Sequence, residues 1–382
     1  MNPRPPRVLH IVGGMVRGGI ETWLMNILRH RDPAQCQMDF IVHTTEPGPY
    51  DDEARRLGSR IFPCLSPARP WEYARNFRRI LETHGPFDVV HSHVHLFNGF
   101  TMRCARRAGI PVRIAHSHVD TMPEDVAPGL PRRLYLGSMR RLIWKNATHG
   151  LAASQQAAAA LFGAGWNEDP RFRLLFYGID LSGYRAAPDP TVRPELGLPA
   201  DAFVVGHIGR FDEQKNHGFL LEIAKSLAAL EPRMRLLLIG AGSLRPAMEQ
   251  RAAELGIADR VIFASLRSDI ARVLKGAVDV FVLPSLCEGL AIVLIEAQAA
   301  GLPCVFTNTI PGEATVVPAL TTRVPLTEST ASWAARILGA GRQPRPITQT
   351  DALATVTSSP FDIQRSVASL LDVYATATSR LP

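Results

Sequence analysis

Short apolar runs alternate with helix-length segments along most of this 382-residue chain, and that rhythm leaves few folds open to it. The runs are RVLHIV (7–12), MDFIVH (38–43), DVVHSH (88–93), VRIAHS (112–117), GLAAS (150–154), RLLF (173–176), FVVGHIG (203–209), RLLLIG (235–240), RVIFA (260–264), VDVFVL (278–283) and PCVFT (303–307). Most are apolar throughout rather than every second residue, as a strand covered on both faces requires, and the spacers suit crossover helices. The expected class is therefore α/β with parallel sheets. Residues 181–201 are polar, contain prolines and hold no such run, so they read as a linker. This predicts two Rossmann-like domains, 1–180 and 200–355, facing each other across a cleft at the carboxyl ends of their strands. A last helical pattern after Pro360, within 361–382, is expected to return to the first domain. Residues 320–359, rich in Thr, Pro and Ala, show no pattern that places them.

A hydrophobic content of 46% and this length suit two domains, each with its own core. Charges or glycines break every apolar run well short of the ~18 residues a membrane span needs, and the first seven residues lead straight into a strand without a signal-peptide core. A cytoplasmic location is expected. The five cysteines, Cys36, Cys64, Cys104, Cys287 and Cys304, are odd in number and lack CxxC spacing. They read as reduced, mainly buried thiols rather than disulfides or a zinc site. A net charge of +7 favours an anionic partner. With only 7% aromatics and no interleaved recognition motif, nucleic acid is not indicated.

Chemistry concentrates in 278–304, VDVFVLPSLCEGLAIVLIEAQAAGLPC. VDVFVLP reads as a buried strand and GLAIVLIEAQAA as a helix with Gly289 and Leu290 in its first turn, which puts Glu288 in the loop and Glu296 two turns inside. Eight residues of helix span about 12 Å, roughly the reach of a diphosphate between a ribose and a hexose. One carboxylate could take a sugar hydroxyl and the other the ribose diol, with the helix N-terminus as the anion site between them. A Glu pair on one helix is more often a solvated face, but the surrounding segment is too apolar for an exposed helix.

Further candidates fall at other strand ends. GGMVRGGIETW after the first strand brings Gly18 and Gly19 to a helix start, with Glu21 in the first turn. Its spacing departs from GxGxxG, which disfavours a dinucleotide-dependent dehydrogenase. Arg210 ends FVVGHIGR and Lys215 follows at the next helix entrance, two cations able to neutralise a leaving diphosphate. Gly240 in GAGSL and Arg267 in LRSDI are placed on the same rim, as contacts to the nucleotide base and ribose made mainly through backbone groups. Histidines cluster as His91, His93 and His95 in HSHVH and as His116 and His118 in AHSH. Alternation permits a metal there, but no Cys or carboxylate completes a shell, so substrate contact is the favoured reading and no metal is assigned. In 132–146, RRLYLGSMRRLIWKN, cations interleave with apolar residues, as in a helix that meets a membrane surface or one merely packed on its core.

The stretches HIVGGMVRGGIETWLMNILRH, VVHSHVHLFNGF, VRIAHSH, GHIGRFDEQKNHGFLLEIAKSL, LLLIGAGSL and VFVLPSLCEGLAIVLIEAQAAGLPC resemble, in that order, the retaining glycosyltransferases of family 4, most closely its EpsF-type members of exopolysaccharide assembly. The resemblance spans roughly residues 7–317. It implies a GT-B fold, a nucleoside diphosphate sugar donor that is usually UDP-linked, and transfer with retention and without a metal or other cofactor. Glu288 and Glu296 correspond to the family's two-glutamate signature, and Arg210 and Lys215 to its diphosphate-binding pair. A histidine at the HSH position, first His93, would contact the sugar, with His91, His116 and His118 as further sugar or acceptor contacts. A saccharide or lipid-linked acceptor at the inner face of the plasma membrane would be the partner. The alternatives are a nucleotide-sugar epimerase of the same fold and an inactive scaffold in a polysaccharide assembly complex.

Overall fold

The structure is a computed structural model that describes residues 4–65, 67–118 and 129–379. The chain divides into two compact units, one of residues 1–179 with 363–382 and one of residues 180–362.

In the first unit, strands β1 (Arg7–Val12), β2 (Gln37–Val42), β3 (Ile61–Pro63), β4 (Val89–Ser92), β5 (Val112–Ser117), β6 (His149–Ala152) and β7 (Phe172–Leu174) form one sheet in the order β3-β2-β1-β4-β5-β6-β7. Every pairing is parallel. The helices are α1 (Gly19–His30), α2 (Asp51–Arg56), α3 (Pro70–His84), α4 (Asn98–Arg107), α5 (Leu130–Asn146) and α6 (Gln155–Phe162). Their apolar faces pack Phe77, Met102, Ile143 and Leu161 onto strand residues such as Leu9, Ile11 and Val90. Helices α4 and α5 meet where a Cβ on Gly99 would fall 2.5 Å from the Met139 carbonyl oxygen, so only glycine fits that crossing.

The second unit forms a sheet of β8 (Phe203–Ile208), β9 (Met234–Ile239), β10 (Val261–Ala264), β11 (Val280–Leu283), β12 (Cys304–Thr307) and β13 (Thr321–Val324), in the order β10-β9-β8-β11-β12-β13. It too is parallel throughout. Its helices are α7 (Val192–Glu195), α8 (His217–Leu230), α9 (Arg245–Glu254), α10 (Ile270–Ala277), α11 (Ile292–Ala299), α12 (Thr330–Arg342) and α13 (Gln349–Ser358). Leu221, Leu236, Val282, Val305 and the fully buried Trp333 lie in its core. In both sheets the order reverses beside the first strand, and the loops that leave the carboxyl ends there form the customary ligand crevice.

The sequence reading differs from the structure at two places. Residues 320–359, unassigned above, hold β13, α12 and α13; their Trp333 and Ile337 complete the second core. Residues 181–201 are packed rather than linking: Arg272 Nε donates to Asp189 (2.6 Å) and its Nη1 to Glu195 (2.7 Å), and Arg193 bonds both oxygens of Asp279 at 2.9 and 3.0 Å. Helix α14 (Ile363–Ser379) belongs to the first unit. There the Trp23 indole donates to Ser366 Oγ at 3.0 Å, and Ser366 in turn donates to the Phe176 carbonyl. Cys36, Cys64, Cys104 and Cys304 are buried free thiols and Cys287 is half-buried. No helix among the described residues is long and apolar enough to cross a membrane.

Candidate active site

In the second unit the loops after β8 and β11 are stitched to each other. Asp212 caps the short 3-10 turn Glu213–Lys215, accepting from the Lys215 amide at 3.3 Å. Gln214 Nε2 donates to the Cys287 carbonyl (2.9 Å), the Leu286 amide to the Gln214 carbonyl (2.8 Å), and Asn216 Nδ2 to the Pro284 carbonyl (3.1 Å). Asn216 adopts the left-handed conformation, φ 56°, a region in which Asn is enriched among non-glycine residues. This turn sets Lys215 Nζ 2.5 Å from Glu288 Oε1, with side chains 15% and 7% exposed. An ion pair so shielded from water is costly to assemble and marks a candidate functional site. The Ser285 hydroxyl beside it is buried without a hydrogen-bond partner.

Arg210 does not join that pair. Its side chain is 70% exposed, and its Nε donates to Asp212 at 2.7 Å. Gly240 instead shapes the rim: it sits at φ 154°, and a Cβ there would lie 2.0 Å from the Gly209 carbonyl oxygen, so the β9 loop can cross the β8 loop only through glycine. Arg267 is engaged elsewhere, donating to Asp269 (2.8 and 2.7 Å) and Glu195 (2.7 Å) in the cluster that holds 189–195. Its side chain thus has a structural partner set.

Helix α11 begins at Ile292 after Ala291, which takes φ 60° as its cap. Gly289 and Leu290 therefore lie in the preceding loop, not in a helical first turn, and Glu296 is in the second turn of a shorter helix. The helical rise thus covers only part of the 288–296 interval, and the 12 Å estimate does not hold. Desolvation raises the Glu296 carboxyl from 4.5 to about 7, opposed by the hydroxyl of Tyr184. Tyr184, in the segment first read as a linker, is the neighbour that sequence reasoning missed.

The first unit gathers its histidines more completely than the sequence suggested. His10, in β1, joins His91, His93, His116 and His118, all buried. His118 Nε2 lies 2.7 Å from His93 Nδ1, and His93 Nε2 lies 3.0 Å from His10 Nδ1. His10 Nε2 reaches the Tyr374 hydroxyl at 3.4 Å, which lies 2.8 Å from His91 Nδ1; His91 Nε2 meets His116 Nδ1 at 3.1 Å. His118 Nδ1 bonds the Tyr177 hydroxyl. Burial keeps all five rings well below the usual imidazole range, His10 and His118 at about 3. Both nitrogens of His93 are thus engaged by other histidines, so the ring borders its pocket without a free polar atom to offer a sugar. A histidine inside the apolar run RVLHIV was the sequence signal for this cluster.

That pocket, a cavity of 270 Å³, is lined by Val12, Gly13, Ile20, Glu21, His93, Val94, His95 and His118. Gly18 caps α1, and a Cβ there would lie 2.6 Å from Glu21 Oε2, so the glutamate folds back over the helix start, where its charge is favoured; Gly19 is unobstructed. Gly18 and Gly19 thus lie in the first unit, next in sequence to Ile20 and Glu21 of that pocket's lining. A larger open groove beside Arg4, Pro6, Val367 and Leu371 contains none of the candidate residues. On α5, Leu136 and Ile143 are buried, Trp144 Nε1 donates to the Phe162 carbonyl (2.9 Å), and Arg140 donates to the Ala160 carbonyl (2.7 Å). Leu130 (68%), Leu134 (65%) and Tyr135 (39%) are exposed.

Residues 18–175 match the family described as Glycosyl transferase 4-like domain, and residues 189–338 the family described as Glycosyl transferases group 1. The chain is 38% identical over 390 residues to a protein of Bacillus subtilis (strain 168) named as the glycosyltransferase EpsF, covering 100% of this chain and 99% of the relative. The chain belongs to this glycosyltransferase family. It is an enzyme of the hexosyltransferase type with a GT-B fold. The structure of Anabaena HepE in complex with UDP and glucose superposes with a TM-score of 0.80 at 20% identity, over 97% of this chain and 100% of that one. An Escherichia coli UDP-Gal:alpha-D-GlcNAc-diphosphoundecaprenol alpha-1,3-galactosyltransferase is 27% identical over 227 residues, 58% of each chain.

Proposed function

We infer that this glycosyltransferase moves a hexose from a nucleoside diphosphate sugar, UDP-linked in the first instance, to a saccharide or lipid-linked saccharide in cell-surface polysaccharide synthesis, with retention of anomeric configuration. The observation that carries this reading is the shielded Lys215–Glu288 pair clamped between two strand-end loops. Lys215 is the cation for the departing diphosphate, and Glu288 beside it addresses the transferred sugar. Glu296 in the following helix takes the ribose diol. The exposed Arg210 is free to swing from Asp212 onto the phosphates, and the buried Ser285 hydroxyl is a further donor in the same loop. These groups do by charge and hydrogen bonding what a divalent ion does elsewhere, so no cofactor is required.

The first unit takes the acceptor, with Glu21 and the edges of His93 and His118 lining its pocket. The names of the relatives support a polysaccharide role and, through the diphosphoundecaprenol enzyme, a lipid-linked acceptor. Membrane contact then falls to the exposed Leu130, Leu134 and Tyr135 with Arg133 and Arg141 on α5, at the inner face of the plasma membrane.

The test is a thermal-shift panel of UDP-, GDP- and ADP-sugars in the presence of EDTA, followed by transfer assays with the stabilising donor and NMR of the product anomer. Stabilisation by a UDP-sugar without a metal and an anomer matching the donor are expected. Inversion, or a need for manganese, would overturn the scheme. An isomerised donor in the absence of acceptor would make the enzyme an epimerase.

A further inference from the structure

We propose that His93, His116 and His118 form a binding site for one borderline divalent transition-metal ion, Zn²⁺ in the first instance, at the floor of the first-unit pocket.

The bond pattern of the cluster singles out this triad. Ring nitrogens of His93, His116 and His118 all lie within 4.8 Å of one another. A tetrahedral ion with about 2.0–2.1 Å bonds holds its nitrogens about 3.3 Å apart, a modest contraction. The His93 Nδ1–His118 Nε2 contact is the one hydrogen bond that coordination replaces. The third ligand is already available, since His116 Nε2 is buried and has no partner. Each remaining ring nitrogen faces a group that orients it: His93 Nε2 meets His10 at 3.0 Å, His116 Nδ1 meets His91 at 3.1 Å, and His118 Nδ1 meets the Tyr177 hydroxyl. Histidine ligands to metals are held by such partners, which fix the tautomer and aim the lone pair. Coordination therefore uses one lone pair per ring and leaves each ring's single proton on the nitrogen facing His10, His91 or Tyr177. Imidazole donors without a carboxylate favour Zn²⁺, Ni²⁺, Co²⁺ or Cu²⁺ over Mg²⁺ and Ca²⁺.

The neighbouring triad, His10, His91 and His93, is also close enough for an ion. Its ring nitrogens are already taken by His93, His116, His118 and Tyr374, and it has no unpartnered lone pair to supply. Entry favours the same choice, because His93 and His118 line the pocket and thus give the ion a path from solvent. An ion at that floor leaves its fourth position for water or a hydroxyl in the pocket.

The full-length protein, stripped with EDTA and then dialysed free of it, is titrated with ZnCl₂ by calorimetry and with Co²⁺ by visible absorption. One equivalent of Zn²⁺, a rise of several degrees in melting temperature that Mg²⁺ does not produce, and the intense visible bands of tetrahedral Co²⁺ are expected. His116→Ala and His118→Ala should each weaken Zn²⁺ binding at least a hundredfold while keeping the native circular dichroism. If a variant fails to fold, the Co²⁺ spectrum of the native protein decides alone. Absence of stoichiometric binding, octahedral Co²⁺ bands, or unchanged affinity in a folded His116→Ala protein would overturn the proposal.

Discussion

The histidine cluster of the first unit and the Lys215–Glu288 loop pair of the second are both shielded polar assemblies, yet they use their hydrogen-bonding capacity in opposite ways. In the cluster, neutral rings saturate one another, and one ring nitrogen, His116 Nε2, is left over. In the loop pair a full charge meets a full charge at a strand end, with Arg210 exposed and Ser285 unpartnered beside it. A self-satisfied network rigidifies a core, whereas a charged pair with capacity in reserve can exchange partners with a ligand. Count of polar residues therefore misleads; what matters is which atoms are still available.

The comparison is tested most severely by Lys215→Ala, which should lower kcat/KM by roughly a hundredfold or more, because one preorganised charge on a developing anion is worth about 3 kcal/mol. Steady-state kinetics near the native values would place the diphosphate elsewhere. On the other side, Tyr374→Phe removes the hydroxyl shared by His91 and His10 and leaves two buried ring nitrogens unpaired. It should destabilise the fold by about 1–3 kcal/mol in urea unfolding, with donor affinity untouched. Weakened nucleotide binding instead would show that the cluster also supports the donor site.

Glu296 sharpens the contrast through pH. Its folded-state value near 7 lies above the 4.5 it starts from, so between those values the native state holds a proton that the unfolded chain has released. Stability contributed by that proton is present at low pH and lost as pH rises through about 7. Glu296→Gln should accordingly gain on the native protein by about 2–3 kcal/mol between pH 5 and 8. A constant difference in denaturation midpoint across that range would mean the carboxyl is ionised throughout. The smallest effect is expected at Arg267→Ala: donor affinity by calorimetry should be unchanged and stability lowered by less than about 1 kcal/mol, since its partners Glu195 and Asp269 also retain Arg272. A large loss of donor affinity would restore Arg267 to the nucleotide site.

Eleven of the strands were visible as apolar runs because a strand covered on both faces needs side chains that no other environment tolerates. The omitted β3 and β13 are edge strands of three and four residues, β3 carrying Pro63 and β13 Arg323, and edges lack that compositional pressure. Strand ends in turn located Glu288, Lys215 and the histidines. The start of α11 was misplaced because Ala291 in a left-handed cap leaves no mark in an apolar sequence.

By itself, then, the sequence determined two parallel α/β layers and the strand-end loops that carry the chemistry, since hydrophobic period and loop position are local properties of the chain. Tertiary structure alone decided which polar groups remain available. It turned 189–195 onto Arg267 and Arg272, set Tyr184 near Glu296, brought His10 and Tyr374 from distant segments into one ring of histidines, and coupled Lys215 to Glu288. Hydrogen-bond satisfaction depends on distance and direction between residues far apart in the chain, and no local pattern encodes it.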